Sequence, residues 1–567
     1  MTRHSGFTRR AALLSGAVTL AGCASLPIRR QPDILIRNGL VLDGTGRDGV
    51  RADIAIHGDT ISAIGNLADV QANSVIDASD LVVCPGFVNS LSWSTNTLFA
   101  DPRCMSDVMQ GVTTQVVGEG TSMGPLNTSL RDQLANEPFI GADDIAWSTL
   151  GGFLSTVEAR GLSPNIVSFV GAASVRRIAI GDDNRSATAD ELQQMERLVR
   201  QAMADGAIGV SSSLIYPPAT SADLQELSAL AAASAPSGGL YATHMRSEGD
   251  NILDALDETL AIASSAGVCA EIFHLKVAGV RNWPKAQQVL DKINAAREEG
   301  VCVAASLYPY VAGATSLAAM FPPWAWDGGF GALLDRLDDS ETRRKIDKEV
   351  ESQNTEWESL YALCGGADGV EVLDHGNVLP VALQGERLST IARHLEMSPV
   401  ESAMHLIRQS GEPLEAAYFA MNEETVRKIL VQPWVSICSD SGAPSIEPPF
   451  TEQSVHPRAF GAFARILERY VRNEGIISLP DAVHRMTGLP ASKFGLSRRG
   501  ILRAGNFADI TIFDPAGVRE RATFTRPYAY AEGIQHVLTN GVPIVELGQH
   551  TGQLPGRALR GGGFVSA

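Results

Sequence analysis

Two histidines and two carboxylates stand where short apolar runs end, and together they have the chemistry of a hydrolytic metal centre. His244 closes the run Leu240-Tyr241-Ala242-Thr243-His244, and His274 closes Ala270-Glu271-Ile272-Phe273-His274. Two neutral imidazoles and one carboxylate hold a zinc ion while leaving one position open for water. Glu119, in Val116-Val117-Gly118-Glu119-Gly120, is the expected third ligand. Taken singly, each histidine also reads as a hydrogen-bonded core residue; paired at consecutive strand ends, the two read as metal ligands. Asp440, in Cys438-Ser439-Asp440-Ser441, is a carboxylate able to take a proton from an activated water and return it to a leaving amine, or to cap the turn that follows.

These residues lie far apart in the chain, so a fold must bring them together. Eight apolar, strand-like runs cover residues 82–89, 112–118, 166–171, 208–214, 240–245, 270–276, 301–308 and 434–440, most of them separated by helical patterns. Eight such units close a (β/α)8 barrel, whose active site lies at the C-terminal ends of its strands. Those ends carry Glu119, Tyr216, His244, His274, Lys276, Tyr308 and Asp440. Residues 311–433 are too long for one crossover and predict an insertion subdomain over the barrel mouth, between strands seven and eight. Alternating apolar and polar positions at 33–83, and again at 509–514 and 537–541, predict a small β-sandwich domain built by both chain ends. The expected domains are a targeting segment (1–30), the barrel (83–494, with its insertion) and the two halves of the β domain (31–82 and 495–567).

The 567 residues carry 46 basic and 64 acidic side chains, a net charge of −18 that repels phosphate backbones and argues against nucleic acid as the main partner. Seven cysteines form no CxxC pair, which leaves a zinc finger or dense disulfide scaffold without support. Thr8-Arg9-Arg10 before the apolar run 11–20 reads as a twin-arginine export signal. Leu20-Ala21-Gly22-Cys23 resembles a lipoprotein lipobox, so Cys23 is the expected lipidation site and membrane contact is expected through that lipid only. A plain export signal with an incidental cysteine is the alternative. Whether the other cysteines pair after export stays open, but several lie in or beside predicted strands and read as small buried hydrophobes rather than bridges.

Further motifs carry a family resemblance. Val83-Cys84-Pro85-Gly86-Phe87-Val88, Gly206 to Val210 with Tyr216-Pro217-Pro218, Thr243-His244-Met245-Arg246, His274-Leu275-Lys276, Tyr308-Pro309-Tyr310, Ser439-Asp440, His456-Pro457-Arg458 and Gly505-Asn506-Phe507-Ala508-Asp509 together resemble the amidohydrolase superfamily, in its N-acyl-D-amino-acid deacylase branch. The resemblance implies a zinc-dependent hydrolase that removes the acyl group from N-acyl-D-amino acids. It implies that His244 and His274 hold the zinc, that Asp440 is general base and acid, and that Lys276, Tyr308 and Arg458 bind the substrate carboxylate, with Arg246 and Tyr216 as lining residues. An arginine fork and a lysine charge suit a planar carboxylate.

The chain also departs from that pattern. Where the superfamily places His-x-His after strand one, this sequence has Leu91 and Trp93, neither of which binds zinc. Where relatives carry a metal-binding cysteine after strand two, it has Glu119 followed by Gly120, and either position could align with the cysteine. The expectation is therefore one zinc ion, with the second site lost. Two other readings stay open: a hydrolase of D-residue dipeptides or cyclic amides, and a lipid-anchored binding protein that has lost catalysis.

Overall fold

The computed structural model describes residues 31–352, 357–373, 378–452 and 454–565. The expected export signal and Cys23 lie outside the described residues. Eight parallel strands close a barrel: strand one is Phe87–Asn89, two Val112–Val117, three Asn165–Ser168 continued by Val170–Gly171, four Gly209–Ser213, five Leu240–His244, six Ala270–Ile272, seven Val303–Leu307 and eight Val435–Ile437. Ladders run from one to three and from three to eight in order. The seam between one and eight is closed just beyond the strands, where Ser90 N donates to Ile437 O (3.2 Å) and Asp440 N to Leu91 O (3.0 Å). Nearly every barrel-strand residue is buried, as expected of a parallel sheet covered by helices. The helix Ala189–Asp205 shows how the outer layer is built. Thr188 and Glu191 form a capping box, Gly206 ends the helix at φ 114°, and Met195, Val199, Ala202 and Met203 make its buried stripe.

The first apolar run is two strands, not one. Val82–Pro85 pairs antiparallel with Ile510–Phe513 in a nine-stranded sheet made from both chain ends, and only Phe87–Asn89 enters the barrel. The break falls at Gly86, whose backbone packs so closely on Thr113 that a Cβ has no space. In this end sheet Ile36, Ile54, Ile56, Ile510, Ile512 and Leu538 share one buried core.

Cysteine usage also differs from expectation. Cys269 and Cys302 form a disulfide with Cα atoms 4.6 Å apart, while Cys84, Cys104, Cys364 and Cys438 are free and buried. Register supplies the reason: strands six and seven pair Ala270 with Val303, which sets the preceding residues side by side.

Between strands seven and eight, Gly313–Ser316, Val370–Val372 and Glu415–Tyr418 form a three-stranded antiparallel sheet, joined by helices that include Gly329–Asp338, Ser340–Glu351 and Pro399–Ser410. The helix Glu423–Leu430 packs against the barrel helix Ala286–Glu298 and serves as the ordinary crossover, so the insertion ends before it rather than at 433. Glu358 seats the insertion on the loop after strand five. Its carboxyl accepts from Glu248 N (3.0 Å) and Gly249 N (3.1 Å) and bonds Ser247 Oγ. Burial, helped by the nearby Glu248 charge, pushes its pKa from 4.5 up to about 7. A carboxyl whose pKa rises on folding is favoured neutral. Its cost is absent below about pH 4.5, grows as the unfolded chain ionises, and is complete above about pH 7, where it reaches about 3 kcal/mol. Glu358→Gln should therefore gain stability relative to the parent as pH rises from 5 to 8. Urea unfolding at the two pH values measures it, and a pH-independent difference between the two proteins would overturn it.

Candidate metal centre

Glu119 leaves strand two between two glycines that have to be glycines. Gly118 (φ 97°) and Gly120 (φ 64°) occupy the left-handed region. A Cβ on Gly118 would lie 2.8 Å from Phe169 O, and one on Gly120 would lie 2.5 Å from Ser213 Cβ. Position 120 has no room for a cysteine, so the carboxylate delivered to the mouth at this point is Glu119. Ser211 Oγ bonds both flanking glycines, accepting from Gly120 N at 3.1 Å and donating to Gly118 O.

The structure brings Glu119 together with both histidines. Glu119 Oε1 lies 3.2 Å from His244 Nδ1 and 3.1 Å from His274 Nε2, and all three side chains are buried. Zinc–nitrogen and zinc–oxygen bonds of about 2.0–2.1 Å place tetrahedral ligands about 3.3 Å apart, so the two separations from Glu119 suit ligands of one ion. The ligand atoms all lie within 4.8 Å of one another. His274 (φ 35°) and Asp440 (φ 50°) are both left-handed non-glycine residues. Such strain persists only where the surroundings fix it, and here it sits at the exits of strands six and eight.

Behind the histidines stands a second carboxylate that sequence reasoning passed over. Glu248 Oε1 is 3.2 Å from His274 Nδ1 and Glu248 Oε2 is 3.4 Å from His244 Nε2, so one acid backs the outer edge of both rings. Lys276 Nζ donates to Glu248 Oε1 at 2.6 Å and lies 2.7 Å from His274 Nδ1. The available signal was a carboxylate four positions after His244 in His244-Met245-Arg246-Ser247-Glu248. Burial opposes ionisation of Glu119, but the two imidazoles outweigh it and hold this carboxyl well below the usual range. Glu248 is held low in the same way, with His244 and Lys276 overcoming its burial. For His274, burial and Lys276 oppose a proton, yet Asp440 and Glu119 raise its pKa to about 9. The pocket therefore attracts positive charge to the imidazole nitrogens.

Asp440 is held on both oxygens. Arg458 donates to Oδ2 at 2.6 Å, and the Trp93 indole N–H donates to Oδ1 at 3.2 Å. Tyr308 lies under two cations, with Arg458 4.7 Å and Lys276 5.6 Å from its ring centre. Arg458 also donates to Ala314 O of the insertion (3.2 Å), while its Nε is buried with no hydrogen-bond partner. His456 fixes the Arg458 loop: Nδ1 accepts from Arg458 N (3.0 Å) and Nε2 bonds Ala312 O (3.1 Å). Tyr216 places its ring 5.6 Å from that of His244 and donates to Thr315 Oγ1 at 2.9 Å, tying strand four to the insertion. Arg246 goes elsewhere. Its guanidinium is engaged by Glu258 and by the carbonyls of Thr220 and Ala222, so it buttresses the loop after strand five and does not line the mouth.

Comparison with known proteins supplies the family. The amidohydrolase family profile matches residues 74–545. A D-aminoacylase of Alcaligenes xylosoxydans xylosoxydans is 35% identical over 533 residues, covering 93% of this chain and 97% of the relative. A solved D-aminoacylase structure, described for its binuclear metal centre with one-metal activation and second-metal attenuation, superposes with a TM-score of 0.77 at 33% identity, over 93% of this chain and 99% of its own. An N-acyl-D-glutamate deacylase from Bordetella bronchiseptica, complexed with zinc and a phosphonate mimic of the tetrahedral intermediate, also gives 0.77, at 30% identity over 94% and 100%. By profile and by full-length identity the chain belongs to the amidohydrolase family, as a metal-dependent hydrolase of amide bonds, and its barrel mouth carries a Glu–His–His set able to hold a metal ion.

Proposed function

We propose that this protein removes the acyl group from N-acyl-D-amino acids, using one zinc ion held by Glu119, His244 and His274. The observation that carries the reading is the meeting, in one barrel mouth, of a three-ligand set, a fixed carboxylate and two cations around Tyr308. The D-aminoacylase and N-acyl-D-glutamate deacylase likenesses support the substrate class. When bound, zinc polarises the scissile carbonyl and lowers the pKa of water to about 7.

The chain's own groups do the rest. Arg458 Nε, buried and without a partner, is the donor left for the substrate carboxylate, and Lys276 and Arg458 both stand over the Tyr308 ring. Anchoring that carboxylate fixes the stereocentre and aims the amide at the metal side of the mouth. A carboxylate offers about four acceptor positions. Asp440, with two taken by Arg458 and Trp93, keeps capacity to accept the proton of the attacking water and return it to the departing amine. Glu248 stands 3.2 Å from His274 Nδ1 and 3.4 Å from His244 Nε2, a carboxylate behind both rings that favours their ligand nitrogens facing Glu119.

We also propose export by the twin-arginine route and anchoring through lipidated Cys23. The arginine pair, the lipobox-like segment and a disulfide at Cys269–Cys302, which suits an oxidising compartment, support this. Arg9→Lys with Arg10→Lys should leave the protein in the cytoplasm, and Cys23→Ser should move it from the membrane to the soluble fraction; unchanged fractionation of both variants would refute it.

Elemental analysis should find about one zinc per chain, and a panel of N-acetyl amino acids should show hydrolysis of D but not L isomers. Turnover confined to dipeptides or cyclic amides would replace the substrate class, and a metal-free protein that only binds ligands would remove the enzyme reading. Asp440→Asn should lower kcat by about 10²–10⁴-fold with zinc retained. Retained activity in that variant would show that Asp440 is not the proton carrier.

A further inference from the structure

The segment that follows strand one cannot hold a second metal, and what it does instead is specific. Leu91 is fully buried in the barrel core, and neither it nor Trp93 has a ligand atom. Three residues of this segment, Ser90, Leu91 and Trp93, are laced to the end of strand eight. Ser90 N bonds Ile437 O, Leu91 O accepts from Asp440 N, and Trp93 N donates to Ser441 O at 2.9 Å. These backbone bonds clasp Asp440 from either side and over-determine its left-handed conformation. The Trp93 indole N–H then takes Oδ1 of the same residue, while Arg458 takes Oδ2. A carboxylate with a hydrogen-bond donor on one oxygen and a guanidinium on the other is already oriented and charge-compensated. A cation entering there would have to displace the arginine, against like-charge repulsion.

We infer that Trp93 is a positioning residue that, with Arg458, takes the place of a second metal ion at Asp440 and makes this a strictly one-metal enzyme. The inference rests on the deacylase reading for the role of Asp440, but not for the metal count. Trp93 does not touch the reacting atoms; it acts by fixing the carboxylate that does. An indole N–H is a neutral donor that no metal concentration can displace, so the orientation of Asp440 is independent of zinc supply. Rate and stoichiometry should then both saturate at one equivalent.

The test uses the mature protein, stripped of metal for the zinc titration and zinc-loaded for turnover. Titration with zinc, followed by calorimetry and by elemental analysis after desalting, should give one equivalent per chain, with turnover of N-acetyl-D-amino acids unchanged by a further hundredfold excess. Trp93→Phe keeps the ring and removes the donor. It should lower kcat by about 10- to 100-fold, the share of one hydrogen bond to a charged group, with KM within about twofold and one zinc retained. Trp93→His, whose ring keeps an N–H, should retain more of kcat than Trp93→Phe when both hold one equivalent. Two equivalents in the parent protein would overturn the inference, as would Trp93→Phe at parental kcat, or equal losses in both variants. A parent protein that binds one zinc but hydrolyses no N-acyl-D-amino acid overturns the deacylase reading instead and leaves the metal count standing.

Discussion

A single carboxylate oxygen, Glu119 Oε1, stands about 3 Å from two imidazole nitrogens contributed by two other strands, and the architecture of the mouth follows from holding it there. A buried carboxylate is costly unless positive charge meets it. The two glycines that flank Glu119 let the chain turn tightly enough to deliver it between strands three and four, against Phe169 and Ser213. The left-handed backbone at His274 belongs to the same arrangement, at the point where strand six gives way to its loop. Parallel pairing of strands five and six, with Thr243 beside Ile272, brings His244 and His274 to one rim with their rings 4.5 Å apart.

Which of these features the sequence discloses depends on whether the signal is local. His244, His274 and Asp440 were legible because each is a polar residue ending an apolar run, and a barrel puts all such ends at one rim. The choice between positions 119 and 120 turned on clearance from Ser213, 93 positions away from Gly120, which no local pattern encodes. Glu248 gave only its spacing from His244 as a signal, for a similar reason: it sits in a loop without periodicity, and only the fold sets it behind both rings. Arg246 was misread because its partner, Glu258, lies a turn and a half into the next helix, Ile252–Ala266, and draws the guanidinium away from the mouth. The disulfide depended on strand register, and the insertion's strands are three or four residues long, too short to show a clear alternation. Trp93 was legible only as a missing ligand. Its positive role appears at the seam, where the first and last strands meet after more than 340 intervening residues.

Charge links the zinc ion and the anionic substrate proposed for this mouth. Glu119, Glu248 and Asp440 are three buried carboxylates within one connected cluster, and Lys276 and Arg458 are its two fixed cations. Taken alone these groups leave one negative charge, which is why His274 is drawn toward protonation with its pKa at about 9. A divalent ion on neutral imidazoles turns that deficit into one positive charge, and a substrate carboxylate beside Arg458 Nε then brings the cluster to neutrality. An uncharged amide lacking the carboxylate would leave a buried excess of positive charge and an unmet donor, a loss that falls on binding and positioning together. On that reading, recognition of the acid group and retention of the metal become one electrostatic problem, and Trp93 and Arg458 already hold Asp440 on both oxygens.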